Sequence, residues 1–178
     1  MDVAKRTVCG YFASFNTLDS DGDVFAPGAF KVSLAQNKDR IMHLLQHDTT
    51  LPLARPTILI EDSKGLYFES YFQPPKGDAE LMYIQDTLEM YESGLLKEHS
   101  VGFELIKSKP DQSGEFGTYT NPWDPDKELP ANIITEAFLW EGSTVTWGAN
   151  KNTPFLGVKG DDAKEILKHM QKLKEGGK

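Results

Sequence analysis

Ser100 is the residue whose type and neighbours could do chemistry most directly in this chain of 178 residues. A serine hydroxyl attacks a carbonyl only when a base removes its proton, and histidine, with an ordinary pKa of about 6.5, suits that task. Gly102 follows two residues later and leaves open space beside the hydroxyl. Because alternate strand residues face opposite ways, Ser100 points away from Val101 and Phe103. Ser100 is therefore our candidate nucleophile.

Four histidines are candidates for the base: His43, His47, His99 and His169. His99 adjoins Ser100 on the same predicted strand, so the two side chains face opposite sides. His43 is surrounded by apolar residues that favour a place in the core or a supporting role behind the site, and His169 lies in the C-terminal segment. His47 ends a predicted strand next to Asp48, at the half-exposed position that a base needs. On residue types alone, a purely structural role for Ser100 and His47 stays open.

Metal and nucleotide chemistry have no supporting motif in the sequence. There is no glycine-rich phosphate loop, no cysteine cluster and no helical pair of histidines. His43 and His47 are four residues apart on a predicted strand, which separates them by about 13 Å. The acidic segment 19–23 lacks the spacing and the distal glutamate of a calcium loop, so we interpret it as a turn. We therefore expect no cofactor and no metal site.

The elements that must position these residues are mostly strands. Alternating or continuous apolar patterns predict strands at 7–15, 41–47, 57–61, 66–72, 100–107 and 132–147, the last interrupted at Gly142. Helical spacing predicts helices at 27–37, 78–94 and 161–175. The polar, proline-rich segment 108–131 is predicted to be a loop or lid, within which 116–119 could extend into a ribbon. The fold class is α+β.

The composition describes an acidic domain with one core. The formal net charge is −8, which argues against a nucleic-acid-binding surface. One cysteine, Cys9, cannot form an internal disulfide, and neither a signal peptide nor a membrane span is recognisable. We expect a protein of the cytoplasm, with a core domain at 1–157 and a C-terminal amphipathic helix or tail at 158–178.

Five sequence blocks together resemble the prohead (capsid maturation) proteases of tailed phages, a serine protease family with the herpesvirus assemblin fold. The blocks are GYFASFNTLDSDGDVFAPGAF, LLQHD followed by PL, KGLYF, SGLLKEHSVGF and LWEGSTVTWGAN. They occur in the family's order and span residues 8–150. Each block is short, and it is the ordered set that makes the resemblance specific.

This resemblance implies a catalytic serine at Ser100, a catalytic histidine at His47 and, by motif position, a third member at Glu141. It also implies a mostly antiparallel, β-barrel-like core with a few helices. His47 would deprotonate Ser100, and Glu141 would hold the imidazole in the correct tautomer. Backbone N–H groups near a predicted loop at 52–55 are only candidate oxyanion donors, which the sequence does not identify. There the chain has Ala54-Arg55 where the family often has glycine after Pro-Leu.

The resemblance further implies a serine endopeptidase that cleaves scaffold or scaffold-like segments of the capsid protein, and itself, inside the immature phage capsid in the bacterial host cytoplasm. Homo-oligomers are implied as possible, whereas nucleic acid and membrane are not expected as partners. The alternative is a catalytically inactive capsid-assembly or scaffolding factor of the same fold. Such a factor should have lost at least one of Ser100, His47 and Glu141, and all three are present. A ligand-binding β-barrel domain is a weaker alternative.

Overall fold

The computed structural model describes residues 6–74, 82–153 and 155–159, and these contain eleven strands, two α-helices and a short 3-10 helix at Lys38–Arg40. The strands are β1 (Thr7–Ser14), β2 (Asp23–Phe25), β3 (Met42–Leu45), β4 (Asp48–Ala54), β5 (Pro56–Glu61), β6 (Gly65–Tyr71), β7 (Glu98–Pro110), β8 (Thr118–Asn121), β9 (Asp124–Pro130), β10 (Asn132–Val145) and β11 (Phe155–Lys159). The helices are α1 (Lys31–Asn37) and α2 (Met82–Glu92).

The first sheet has the strand order β11-β1-β6-β5, with every neighbouring pair antiparallel. Residues 62–65 form the hairpin turn that connects β5 to β6. Asp62 closes it by accepting hydrogen bonds from the backbone N–H groups of Lys64 and Gly65 at 2.7 and 3.1 Å. An aspartate that bonds the backbone two residues ahead is typical of such turns.

The second sheet is built around the long strand β10. Strands β2 and β3 lie parallel to β10 along one edge, and β7 lies antiparallel along the other. Strand β4 extends this sheet beyond β3. Because β10 is hydrogen-bonded on both edges, its residues are held in a fixed register against β3 and β7. Ser143 lies opposite Ser100, and Glu141 lies opposite Gly102.

A stack of aromatic rings fills the core beside β10. Phe12 of β1 stacks on Phe68 of β6 with ring centroids 3.8 Å apart, and it also contacts the backbone at Gly142. A β-carbon at Gly142 would lie 2.4 Å from the Phe12 ring. The predicted interruption of the strand at Gly142 is therefore wrong. The glycine leaves room for the aromatic ring, and β10 continues through it.

Local backbone geometry explains two further differences from the predicted elements. Helix α1 begins at Lys31 rather than at residue 27, because Gly28 has a φ of 93°, outside the helical region. Residues 52–55 were expected to form a loop, but β4 runs to Ala54. Pro52 is tolerated there because β4 lies at an edge of its sheet, where a missing N–H is harmless.

The predicted mixed α+β class with mostly antiparallel strands is confirmed, but a barrel-like arrangement is not. Within residues 6–74, 82–153 and 155–159, the strands form two open sheets and a separate β8–β9 ribbon. That ribbon occupies much of the segment predicted to be a loop or lid.

The two remaining helix predictions lie partly or wholly outside the described residues. The core of the predicted 78–94 helix is confirmed as α2, which buries Ile84, Leu88 and Tyr91, whereas the proposed start at Asp78 is outside. The helix at 161–175 is also outside, so the division into 1–157 and 158–178 stays a prediction. Strand β11 crosses that boundary and pairs with β1. None of the helices in the described ranges has the length and apolar character that a membrane crossing requires.

Candidate active site

His47 and Glu141 form the closest pair of ionisable side chains at the candidate site, although 94 residues separate them in the chain. The distance between His47 Nδ1 and Glu141 Oε1 is 2.6 Å. A carboxylate only accepts hydrogen bonds, so Nδ1 holds the proton and donates it. In the neutral imidazole the other nitrogen, Nε2, is therefore free of a proton. This is the tautomer that a general base requires.

The side chain of His47 is directed toward Glu141 by a left-handed turn between β3 and β4. Gln46 and His47 have φ angles of 55° and 58°, a backbone region that costs non-glycine residues about 1 kcal/mol or more. Two hydrogen bonds to β10 hold the turn: Gln46 N–H donates to the Thr144 carbonyl at 2.8 Å, and His47 N–H donates to Ser143 Oγ at 3.2 Å. The turn also ends the alternation predicted for 41–47, so that expected strand stops at Leu45.

The hydrogen bond to Glu141 is also the main electrostatic influence on His47. It raises the pKa of the imidazole above its ordinary value, and partial burial opposes the rise. The His47 side chain is 41% exposed and the Glu141 side chain 12% exposed. The His47 ring thus remains accessible to solvent, while the Glu141 carboxylate is largely buried.

Ser100 lies on β7, on the same face of the sheet as the His47–Glu141 pair. The Glu141 carboxylate crosses over Gly102, since a β-carbon there would lie only 2.3 Å from Glu141 Oε1. Ser100 is two residues from Gly102 and therefore shares its face. Ser100 is half-buried, and its register partner is Ser143. The structure thus brings Ser100, His47 and Glu141 to one region of the β7–β10 surface.

Ser143 is a site residue that the sequence analysis missed. Ser143 is completely buried, and its hydroxyl donates to Glu141 Oε2 at 2.6 Å. Ser143 Oγ also accepts a hydrogen bond from the backbone N–H of His47. Serines are common in strands, so residue type alone gives no signal. One signal was present: two residues after Glu141 on a strand, Ser143 must share the face of the acid.

His43 and His99 are both completely buried in the core, as the sequence predicts for His43, and a series of hydrogen bonds joins them. His99 Nδ1 donates to the Thr153 carbonyl, so His99 Nε2 accepts from the Tyr91 hydroxyl at 2.8 Å. Tyr91 then accepts from Thr144 Oγ1 at 2.5 Å, and Thr144 accepts from His43 Nε2 at 2.8 Å. Burial lowers the pKa of His99 to about 4 and lowers that of His43 well below its ordinary value. Both rings are engaged by hydrogen bonds in the core, and His169 lies outside the described residues.

Comparison with known proteins decides the family. A sequence profile of the caudovirus prohead serine proteases matches residues 2–168. The chain belongs to this family.

A sequence relative agrees with the family assignment, and a structural neighbour shares the fold. The chain is 36% identical, over 163 residues, to the prohead protease of Enterobacteria phage HK97. The match covers 91% of this chain and 64% of the phage protein's length. The fold is similar to that of KSHV protease, solved in complex with a hexapeptide phosphonate inhibitor, with a TM-score of 0.50 at 10% identity. That match covers 93% of this chain and 75% of the herpesvirus chain. The structural likeness confirms the assemblin-like fold.

A small pocket lies beside Ser100, at the end of the core. Its lining includes Phe25, Phe103 and the acidic turn residues Asp19, Asp21 and Asp23. The turn predicted at 19–23 is confirmed, because Asp19 Oδ1 accepts the backbone N–H groups of Asp21 and Asp23 at 2.9 and 2.8 Å. Burial raises the pKa of Asp19 to about 6.

In the part of the chain that the structure describes, no group of three His, Cys, Asp or Glu side chains could hold a metal ion.

Proposed function

We propose that this member of the prohead protease family is a serine endopeptidase with Ser100 as nucleophile, His47 as general base and acid, and Glu141 as the residue that orients His47. The observation that supports it best is the 2.6 Å hydrogen bond between His47 Nδ1 and Glu141 Oε1. It selects the tautomer whose Nε2 can accept the serine proton. The same carboxylate stabilises the imidazolium that forms when His47 takes that proton.

The reaction would proceed in two halves. Ser100 Oγ attacks the peptide carbonyl carbon while His47 Nε2 takes the hydroxyl proton, and the resulting tetrahedral intermediate collapses as His47 protonates the leaving amine. Water, deprotonated by the same imidazole, then hydrolyses the acyl ester and restores Ser100. Donors for the oxyanion are also required, and each good donor contributes about 3–4 kcal/mol to the transition state.

The proposed substrate is the scaffold or the scaffold-like segment of a phage capsid protein, with the protease itself as a second substrate. We place the reaction inside the immature capsid, in the cytoplasm of the bacterial host, where the protease could form homo-oligomers. The family description and the phage HK97 relative support this assignment. The chain spans 64% of that relative's length, so its substrates and partners belong to the proposal.

The test is cleavage of the capsid protein during co-expression, followed by intact mass spectrometry. Wild-type chain should release a defined fragment, and Ser100→Ala should release none. Ser108→Ala is the matched control, because Ser108 is an exposed serine on the same strand. If Ser100→Ala cleaves as well as Ser108→Ala, the nucleophile is wrongly assigned. If wild type yields assembled capsids but no cleavage, the chain is instead the inactive assembly factor.

A further inference from the structure

We propose that Ser143 is a positioning residue for this site, holding the acid and the base together through one hydroxyl group. The inference rests on the proposed function for its catalytic meaning, but its structural basis is independent of the substrate. It concerns a side chain that touches neither substrate nor reacting atoms and acts only through Glu141 and His47.

The first contact fixes the acid. Glu141 Oε1 accepts from His47 Nδ1 and Glu141 Oε2 accepts from Ser143 Oγ, each at 2.6 Å. With both oxygens engaged in different directions, the carboxylate cannot rotate about its terminal bond without breaking one hydrogen bond. The Glu141 side chain is only 12% exposed, so water is poorly placed to replace the serine. Without Ser143, the carboxylate would lose the contact that sets its plane.

The second contact fixes the base. Ser143 Oγ accepts the backbone N–H of His47 at 3.2 Å, in a turn whose two central residues have strained positive φ angles. A hydroxyl has one proton to donate and lone pairs that accept, so this serine can serve both groups at once. Alanine can serve neither. One buried oxygen thereby sets the separation between the acid and the backbone of the base.

Its environment makes Ser143 unsuitable as the nucleophile, although it faces Ser100 across the strand pair. Ser143 has no exposed surface, and its proton is already donated to Glu141. Ser100 is half-buried and thus open to a peptide. The two serines therefore have separate roles, one chemical and one geometric.

The test compares Ser143→Ala, Ser143→Cys and Ser143→Thr with wild type in the full chain. NMR titration of the His47 ring nitrogens and steady-state cleavage of a capsid-derived peptide are the two measurements. In the alanine and cysteine variants, kcat should fall about 10- to 100-fold, because small displacements of a catalytic group have effects of this size. KM should change little, and the pKa of His47 should fall toward 6.5. Threonine keeps the hydroxyl, so the threonine variant should retain both kcat and the raised pKa of His47.

Ser70→Ala is the matched control, since Ser70 is also completely buried but its Oγ has no hydrogen-bond partner among the described residues. It should leave kcat and the His47 titration unchanged. If all three Ser143 variants match wild type, the proposal fails. It fails equally if all three lose activity with an unchanged His47 pKa, because Ser143 would then only fill space. The cysteine variant decides the matter if the alanine variant does not fold.

The NMR measurement separates this proposal from the proposed function. The His47 titration needs no substrate and can be repeated in a Ser100→Ala background. If no cleavage is found but the His47 pKa falls in Ser143→Ala, the positioning role stands and the peptidase assignment fails. If cleavage is found and the His47 pKa does not move, the reverse holds.

Discussion

Glu141 reaches His47 only because residue 102 has no side chain. A β-carbon at Gly102 would lie 2.3 Å from Glu141 Oε1, closer than real atoms approach, and 3.0 Å from the Glu141 carboxyl carbon. The backbone of β7 thus forms the floor beneath the carboxylate. The space predicted beside the Ser100 hydroxyl at Gly102 is therefore occupied by the Glu141 carboxylate.

Gly102→Ala should therefore displace the carboxylate and lower kcat about 100-fold, the size of effect expected when a catalytic group moves by about 1 Å. Kinetics on a capsid-derived peptide provide the measurement. Gly114→Ala is a suitable control, because Gly114 has a φ of 72° and open space, at the other end of the β7–β10 pair. It should cost about 1 kcal/mol of stability and no activity. Equal activity in both variants would contradict the packing argument.

The hydrogen bond from His47 to Glu141 also sets a pH dependence. The base must be neutral to take the serine proton, and its pKa is raised by Glu141. In wild type, kcat/KM should therefore rise with pH, and the apparent pKa of this acidic limb should lie above 6.5. Glu141→Gln removes the charge and should move this acidic limb to lower pH while lowering the plateau. A pH–rate profile measures both effects, and an unmoved limb would show that another group orients the base.

At the scale of elements, α2, β3, β7 and β10 are joined by the buried chain from His43 through Thr144 and Tyr91 to His99. The Tyr91 hydroxyl is the central link, since it donates to one neighbour and accepts from the other. This series of hydrogen bonds lies on the face of β10 opposite the candidate site. It fixes the strand that holds Glu141 and Ser143 from behind.

Tyr91→Phe should lower the free energy of unfolding by about 2–4 kcal/mol, because it removes the donor to the buried His99 Nε2 and the acceptor of the buried Thr144 hydroxyl proton. Tyr83→Phe on the same helix is the control. The Tyr83 hydroxyl donates to the Pro52 carbonyl at an exposed position, so its loss should cost less than about 1 kcal/mol. Urea denaturation of both variants measures the difference. Equal losses would mean that the buried chain is not cooperative.

Some of these elements could be predicted from the sequence and others could not, for physical reasons. Strand alternation correctly separated His99 from Ser100, because that relation is local. The contact of His47 with Ser143 could not be predicted, since it depends on the parallel register of β3 with β10 and on two left-handed residues. A glycine within a strand predicts an interruption, but Gly142 makes room for the Phe12 ring. That contact could not be predicted, because Phe12 lies on a strand distant in sequence.

For the whole molecule, the buried histidines imply a loss of stability in acid. The pKa of His99 is about 4 when folded, against about 6.5 when unfolded. As pH falls from 6.5 to 4, His99 is protonated in the unfolded chain but stays largely neutral in the folded chain. This difference lowers the free energy of unfolding by about 3 kcal/mol. His43 acts in the same direction. Asp19 opposes them, because its pKa of about 6 lets the folded chain bind a proton first.

Asp19→Asn should therefore reveal the histidine effect. Asparagine keeps the oxygen that accepts the turn's N–H groups but removes the carboxyl whose protonation offsets the loss. The free energy of unfolding should fall more steeply between pH 6.5 and 4 in the variant than in wild type. Urea denaturation across that range measures the slope, and identical slopes would contradict the opposing roles of Asp19 and the histidines.

Strand β10 serves the site with one face and the core with the other. Glu141 and Ser143 face His47, while Gly142 and Thr144 face Phe12 and His43. Adding or deleting one residue here would exchange the faces, placing a carboxylate in the core and a threonine in the site. Descendants of this chain should therefore keep the residue count of β10 constant, whatever substitutions they accumulate.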